Sequence, residues 1–452
     1  MKKAMTKSVA LLAVATLGLS ACAGSGSDTT SPKAGESSPA MSEKASEPAK
    51  TGEKVEIQYI HRLPDGKDMT PVQKIVDKWN AEHPNIQVKP TKFDGKANEL
   101  ITKLQQDVQA GSAACLAQVG YGEVPELFVK GMFEDVTAEV EKYKEPFADG
   151  AVALMTVGGK AVGLPQDVGP LIYMYNTAEF EKLGIKAPTT LDEFKAAAAK
   201  AAAQGKYIAA FTPDEAGYWL SAQAAAAGAA WYKAENDQWV VAANDDKSKV
   251  VADFWQENLD KKQVLVTPRW NESFDKALTG GQLIGHFAAA WEVGFALDVL
   301  DGTPYEGQWR VAQLPDFGAG MKTGPDGGSG VAVMKGCKHK AEAMEFNAWF
   351  NTQIEDLATQ GLVVATKQAP KNPEKWLRQF GKQDVQSELA KAATAMNPDF
   401  VYAPGFSSVV TPMVEAATKA GAGSAKVADI FTAAQDASVK TLKAAGLPVA
   451  NG

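Results

Sequence analysis

Several stretches place an aromatic residue beside an acid or amide, in a loop or at a strand end. "QVGYGEVPE" holds Tyr121 and Glu123 between Gly120 and Gly122. "LPQDVGP" holds Gln166 and Asp167, and "HFAAAWEVGF" holds Trp291 and Glu292 after a run of alanines. "TPRWNESF" offers Trp270 between Arg269 and Asn271, and "YAPGFSSV" offers Phe406. "DEAGYWLSAQAAAAGAAWYK" carries Trp219 and Trp231 on a small-residue helix, where one of the two is expected in the core. Arg62 and Asp94 end strands, with surface salt links or caps as the competing use. A ring face stacks on an apolar surface while acids, amides and guanidiniums hold hydroxyls in fixed geometry. A pyranose, with an apolar C–H face and a rim of hydroxyls, is the ligand that uses both.

Other chemistries find less support. Two carboxylates about 5–10 Å apart would serve glycoside hydrolysis, and Glu123, Asp167 and Glu292 are the candidates, but no hydrolase motif surrounds them. The four histidines are scattered, with no Cys-x-x-Cys and no His-Glu-x-x-His, so neither a metal site nor a cofactor is expected. The net charge is −8, and −11 without Lys2, Lys3 and Lys7, which argues against a nucleic-acid partner.

Those residues need elements to hold them. "VEIQYIHRLP" alternates as a strand, and "TPVQKIVDKWNAEHP" reads as a helix capped by Thr70, with Val72, Ile75, Val76 and Trp79 as its apolar stripe. A second strand, a second helix and the buried strand "CLAQVG" follow, a pattern that implies parallel pairing. "TTLDEFKAAAAKAAAQG" opens on a capping box, Thr190 with Glu193, and 425–446 forms a long terminal helix. In open α/β sheets ligands bind at the carboxyl ends of strands, where Tyr121 and Glu123 fall.

The amino terminus reads as a leader. Lysines, a short apolar run and small residues over 1–21 fit a signal peptide. "LSAC" resembles the bacterial lipobox, which would place a lipid on Cys22. Residues 22–52 lack aromatic residues and read as a disordered linker with a reach of about 30 Å. The remaining body from residue 53 is long enough for two domains. Beyond Cys22 stand Cys115 and Cys337, either a disulfide or two buried thiols.

Four stretches in order resemble the family 1 extracellular solute-binding proteins of ABC importers, carbohydrate-binding branch. They are "VPELFVKGMFEDVT" (124–137), "GKAVGLPQDVGPLIYMYNTAEFEKLGIKAPTTLDEF" (159–194), "FDKALTGGQLIGHFAAAW" (274–291) and "GGSGVAVMKGCKHKAEAMEFNAWF" (327–350). The resemblance implies a type II periplasmic-binding-protein-like α/β fold, with two discontinuous lobes joined by a multi-strand hinge around a ligand cleft. The lobes expected are 53–163 plus 282–334, and 164–281 plus 335–452. It places Trp291 at the cleft. It further implies no catalysis, an oligosaccharide ligand (a di- or trisaccharide), delivery to a membrane permease, and a lipid-anchored monomer on the extracellular face. A lipid-anchored hydrolase, or a binding protein for another solute such as a peptide or polyol phosphate, are the alternatives.

Overall fold

A computed structural model describes residues 54–66, 69–95, 97–320 and 322–450. They lie in one compact unit. The leader, Cys22 and the linker fall outside the described residues.

The strand Val55–His61 buries Val55, Ile57 and Tyr59 and exposes Glu56 and Gln58, as its alternation predicts. It pairs in parallel with Ile86–Lys92 on one side and with Leu116–Gly120 on the other. The helix Val72–Glu82 buries the expected stripe of Val72, Ile75, Val76 and Trp79. Its start differs from expectation. Pro71 stands at the cap position, and the Val72 N–H donates to Asp65 Oδ1 at 2.9 Å, so Asp65 rather than Thr70 satisfies the first turn. Thr190 accepts from the Glu193 N–H as predicted for the helix Leu191–Ala202.

One 14-residue strand, Gly163–Asn176, organises the rest. Its first half lies beside the strand Pro325–Val333, which runs back antiparallel to Leu116–Gly120. Its second half pairs with Gly285–Ala289 and Trp309–Gln313. All these strands form one seven-stranded sheet, and the long strand is shared between its two ends, on which the two α/β lobes are built. Residues 363–365 run alongside it as well, with the Val168 N–H donating to the Val363 carbonyl at 2.8 Å.

Later segments join the long strand at different halves. Strands 285–289 and 309–313 go with the second lobe, because they bond to the later half of the long strand. The helix Lys340–Asn351 goes with the first, because Phe346 packs on Trp79 at 5.5 Å and Phe350 on Tyr59 at 5.4 Å between ring centroids. In the second lobe the helix Ala216–Ala226 is buried nearly all round, against the helix Ser407–Gly421, which packs in turn on Ala428–Ala444. Cys115 and Cys337 are joined as a disulfide, Cα–Cα 4.7 Å, in the first lobe.

Candidate ligand-binding cleft

The first lobe's wall is built where four neighbouring strands end or cross. The Arg62 N–H donates to Gln118 Oε1 at 2.7 Å, Gln118 Nε2 donates to Ser329 Oγ at 3.0 Å, and Ser329 Oγ donates to Asp167 Oδ1. This relay fixes Asp167 in the long strand. Burial pushes Asp167 up to about 6, against the lowering bonds from Ser329 and the charge of Arg62. The Tyr121 hydroxyl donates to the Asp167 carbonyl at 2.8 Å, and its ring lies over Gly328. A Cβ on Gly328 would fall 2.7 Å from that ring, so the close approach requires glycine there. Glu123 Oε2 accepts from the Gly120 N–H at 2.9 Å, and burial raises its pKa.

The second lobe's wall is organised by Arg269. Its Nη1 donates to Glu292 Oε1 and Asp326 Oδ2, each at 2.8 Å, and its Nη2 to Glu215 Oε2 at 2.7 Å. The Arg269 N–H is held by the Asp214 carboxylate at 3.1 Å. Burial alone would lower the guanidinium pKa, but the three carboxylates hold it above its ordinary value. The Trp291 ring lies over the guanidinium, 5.1 Å from carbon to centroid, and its Nε1 donates to the Asp326 carbonyl at 2.9 Å. Charge behind an aromatic face and a bond at its edge hold the ring in one orientation. Trp270 adopts φ 49°, an uncommon conformation for a bulky residue, and its Nε1 donates to Glu292 Oε2 at 2.5 Å. Phe295, 53% exposed, lies 5.8 Å from Trp270 and 5.6 Å from Trp291.

Tyr218 closes one side. A methyl on Gly122 in the first lobe would lie 2.8 Å from Tyr218 Oη in the second. Behind Tyr218 stand Tyr402 at 5.8 Å and Phe406 at 5.4 Å.

Of the sequence candidates, Arg62, Glu123, Trp270 and Trp291 are part-exposed beside this seam between the lobes, whereas Tyr121 and Asp167 are buried behind it, 1% and 9% exposed. Four other candidates stand elsewhere. Trp219 is fully buried, its Nε1 donating to the Phe287 carbonyl at 2.9 Å, and its ring is 4.9 Å from Trp255. Trp231 is fully buried, its Nε1 bonded to Ser248 Oγ at 2.9 Å. Both are core residues, because the helix between them presents no polar face and their only donors are taken. Phe406 is a buried support for Tyr218. Asp94 is exposed and paired with Lys92 at 3.0 Å. Gln166 points away from Asp167 into the first lobe's core, bonded to the Tyr59 hydroxyl and Asn351.

Sequence reasoning missed Glu215, Tyr218, Asp326 and Ser329 and gave Arg269 no role of its own. The signal for Tyr218 was present in "GYW": adjacent helix residues point about 100° apart, so a core Trp219 turns Tyr218 toward another face.

Two lobes on a shared strand, with aromatic and charged side chains gathered beside it, have the architecture of a two-lobed binding protein. The profile of the bacterial extracellular solute-binding proteins matches residues 64–353, and the chain belongs to this family. The galacto-N-biose/lacto-N-biose I-binding protein of an ABC transporter from Bifidobacterium longum, solved with lacto-N-biose, is 54% identical. The match covers 89% of this chain and all of that one, with a TM-score of 0.81. A binding protein from B. animalis subsp. lactis Bl-04, solved with β-1,6-galactobiose, shares the fold at 23% identity, 88% and 100% coverage and a TM-score of 0.67. So does a cyclic α-maltosyl-1,6-maltose-binding protein from Arthrobacter globiformis, at 21%, 86% and 100%, and 0.71. No curated protein matches the chain significantly.

Proposed function

We propose that this protein is the oligosaccharide-binding component of an ABC importer. It captures a neutral disaccharide or trisaccharide, closes on it and hands it to the permease, with no bond broken. The observation that carries the reading is the Trp291 ring, held over Arg269 beside a half-exposed Glu215. Stacking and hydroxyl recognition are thus adjacent on one wall, with Asp167 and Arg62 opposite. Similarity to the B. longum protein supports a β-linked galactosyl-N-acetylhexosamine as ligand. Catalysis is disfavoured because Glu292 and Asp326 are bound by Arg269, and Asp167 by Ser329. The reading further includes a monomer tethered outside the membrane through lipid on Cys22. No helix among the described residues is long and apolar enough to cross a membrane.

Calorimetry against lacto-N-biose, galacto-N-biose, β-1,6-galactobiose and maltose tests the reading. The first two are expected to bind with a shift in tryptophan emission, and Trp291→Ala to lose about 100-fold in affinity, as expected for a principal binding contact of 2–4 kcal/mol. No heat from any of them, or reducing sugar released from one, would overturn it.

A further inference from the structure

The cleft carries more negative charge than its cations balance. On the first lobe, Arg62 is the cation whose charge acts on both Glu123 and Asp167. On the second, the guanidinium of Arg269 is shared by Glu215, Glu292 and Asp326, while Asp214 holds its backbone N–H. His286 Nε2 stands 3.3 Å from Glu292 Oε2 and is buried, 3% exposed. Tyr218, between the lobes, is surrounded by Glu123, Asp326, Glu126 and Glu215, and burial with these charges pushes its pKa upward. Two guanidiniums thus serve six carboxylates. Glu215, with its side chain 36% exposed, is the member of the Arg269 cluster open to the cleft.

We infer that the cleft selects its ligands by charge, accepting neutral oligosaccharides and refusing those that carry a carboxylate or sulfate. The inference rests on the oligosaccharide reading and narrows it to a class. The physical argument is direct. A ligand anion about 8 Å from one unbalanced carboxylate, at an effective dielectric near 20, loses roughly thirtyfold in affinity. Glu215 and Glu123 are the part-exposed carboxylates that present this charge. Burial already holds Glu215 up at about 7 despite Arg269, with Asp326, Asp214 and Glu292 adding to the rise. The charges of Asp326, Asp214 and Glu292 act on a ligand anion in the same sense as they act on Glu215.

The test uses three ligands of nearly one shape: lacto-N-biose, its galactose C6-uronate and the corresponding uronamide. Calorimetry at pH 7.5 and low salt is expected to show the uronamide within about tenfold of lacto-N-biose and the uronate at least about 100-fold weaker than the uronamide. That gap should narrow in 0.5 M NaCl and in Glu215→Gln. Equal affinities for uronate and uronamide would overturn the inference. So would equal loss of both, which is exclusion by shape, or a gap unmoved by both salt and Glu215→Gln. If lacto-N-biose itself does not bind while another neutral sugar does, the same pair made on that sugar decides. If no neutral sugar binds, the oligosaccharide reading fails first, and this inference fails with it.

Discussion

Glu215 and Asp167 keep their protons in the folded protein at pH values where an unfolded chain has lost them. An ordinary side-chain carboxyl ionises near 4. Burial, more than any neighbour, lifts Glu215 to about 7 and Asp167 to about 6. Between those limits the native state binds more protons than the unfolded one, so stability falls as pH rises and levels off above 7. Glu292 shifts downward, because Arg269 and His286 overcome its burial, and so acts in the opposite direction only below this window. His61, held down at about 4 by burial, opposes this fall up to its ordinary value near 6.5. Scanning calorimetry is therefore expected to show Tm falling between pH 6.5 and 7.5 in the wild type, with a shallower slope in Glu215→Gln. A Tm that rises over that interval, or an unchanged slope in the variant, contradicts the assignment. Replacing Arg269 is a cruder probe: it strands buried carboxylates, at a cost of about 3–5 kcal/mol.

At the scale of elements, the site and the staple sit at opposite ends of one strand. At its carboxyl end Leu116–Gly120 delivers Tyr121 to the Asp167 carbonyl behind the site, while Cys115 at the other end is bonded to Cys337. Five residues of extended chain separate the two, about 17 Å. Replacing both cysteines by serine is expected to cost about 2–5 kcal/mol of stability and to leave ligand affinity within about threefold. A tenfold loss of affinity would show that the staple shapes the cleft. The helices and first-lobe strands were legible because their periods are local: Val72, Ile75, Val76 and Trp79 declare a buried face without reference to anything distant. Tyr121, Asp167 and Trp291 were legible for a related reason, as aromatic and acidic residues at strand ends. The Arg269 cluster was not, since residues 215, 269, 292 and 326 meet only when three separate segments converge on the return strand. The pairing of the later strands was not legible for a similar cause. It depends on which half of Gly163–Asn176 each later strand joins, and the strand is buried along nearly its whole length, so no local pattern marks the choice. The surplus of tryptophans misled as well, because four of the largest buried side chains are Trp79, Trp219, Trp231 and Trp255.

For the whole molecule, the geometry sets conditions on movement. The lobes are joined through the long strand and the return strand, and the return strand shifts register between Pro325 and Gly328. There Gly327 and Gly328 adopt φ 83° and 94°. Each aromatic wall rests on this segment: Trp291 bonds the Asp326 carbonyl, and Tyr121 covers Gly328. A ligand stacked on Trp291 therefore bears on the return strand that joins the lobes. Across the cleft, Tyr218 lies against Gly122, and Ser407 Oγ donates to Glu126 Oε2 at 3.5 Å, contacts small enough to part without ligand. Small-angle scattering is expected to give a smaller radius of gyration with saturating lacto-N-biose than without. Gly328→Ala should impair this. It forces an unfavourable φ costing about 1–3 kcal/mol and puts a methyl 2.9 Å from the Asp167 carbonyl as well as against Tyr121. The variant should bind at least about tenfold more weakly and contract less. Ligand binding at full affinity with no change of radius in the wild type would mean that the cleft is preformed and the hinge does not operate. Full contraction in Gly328→Ala would instead leave closure intact and move the pivot away from the return strand.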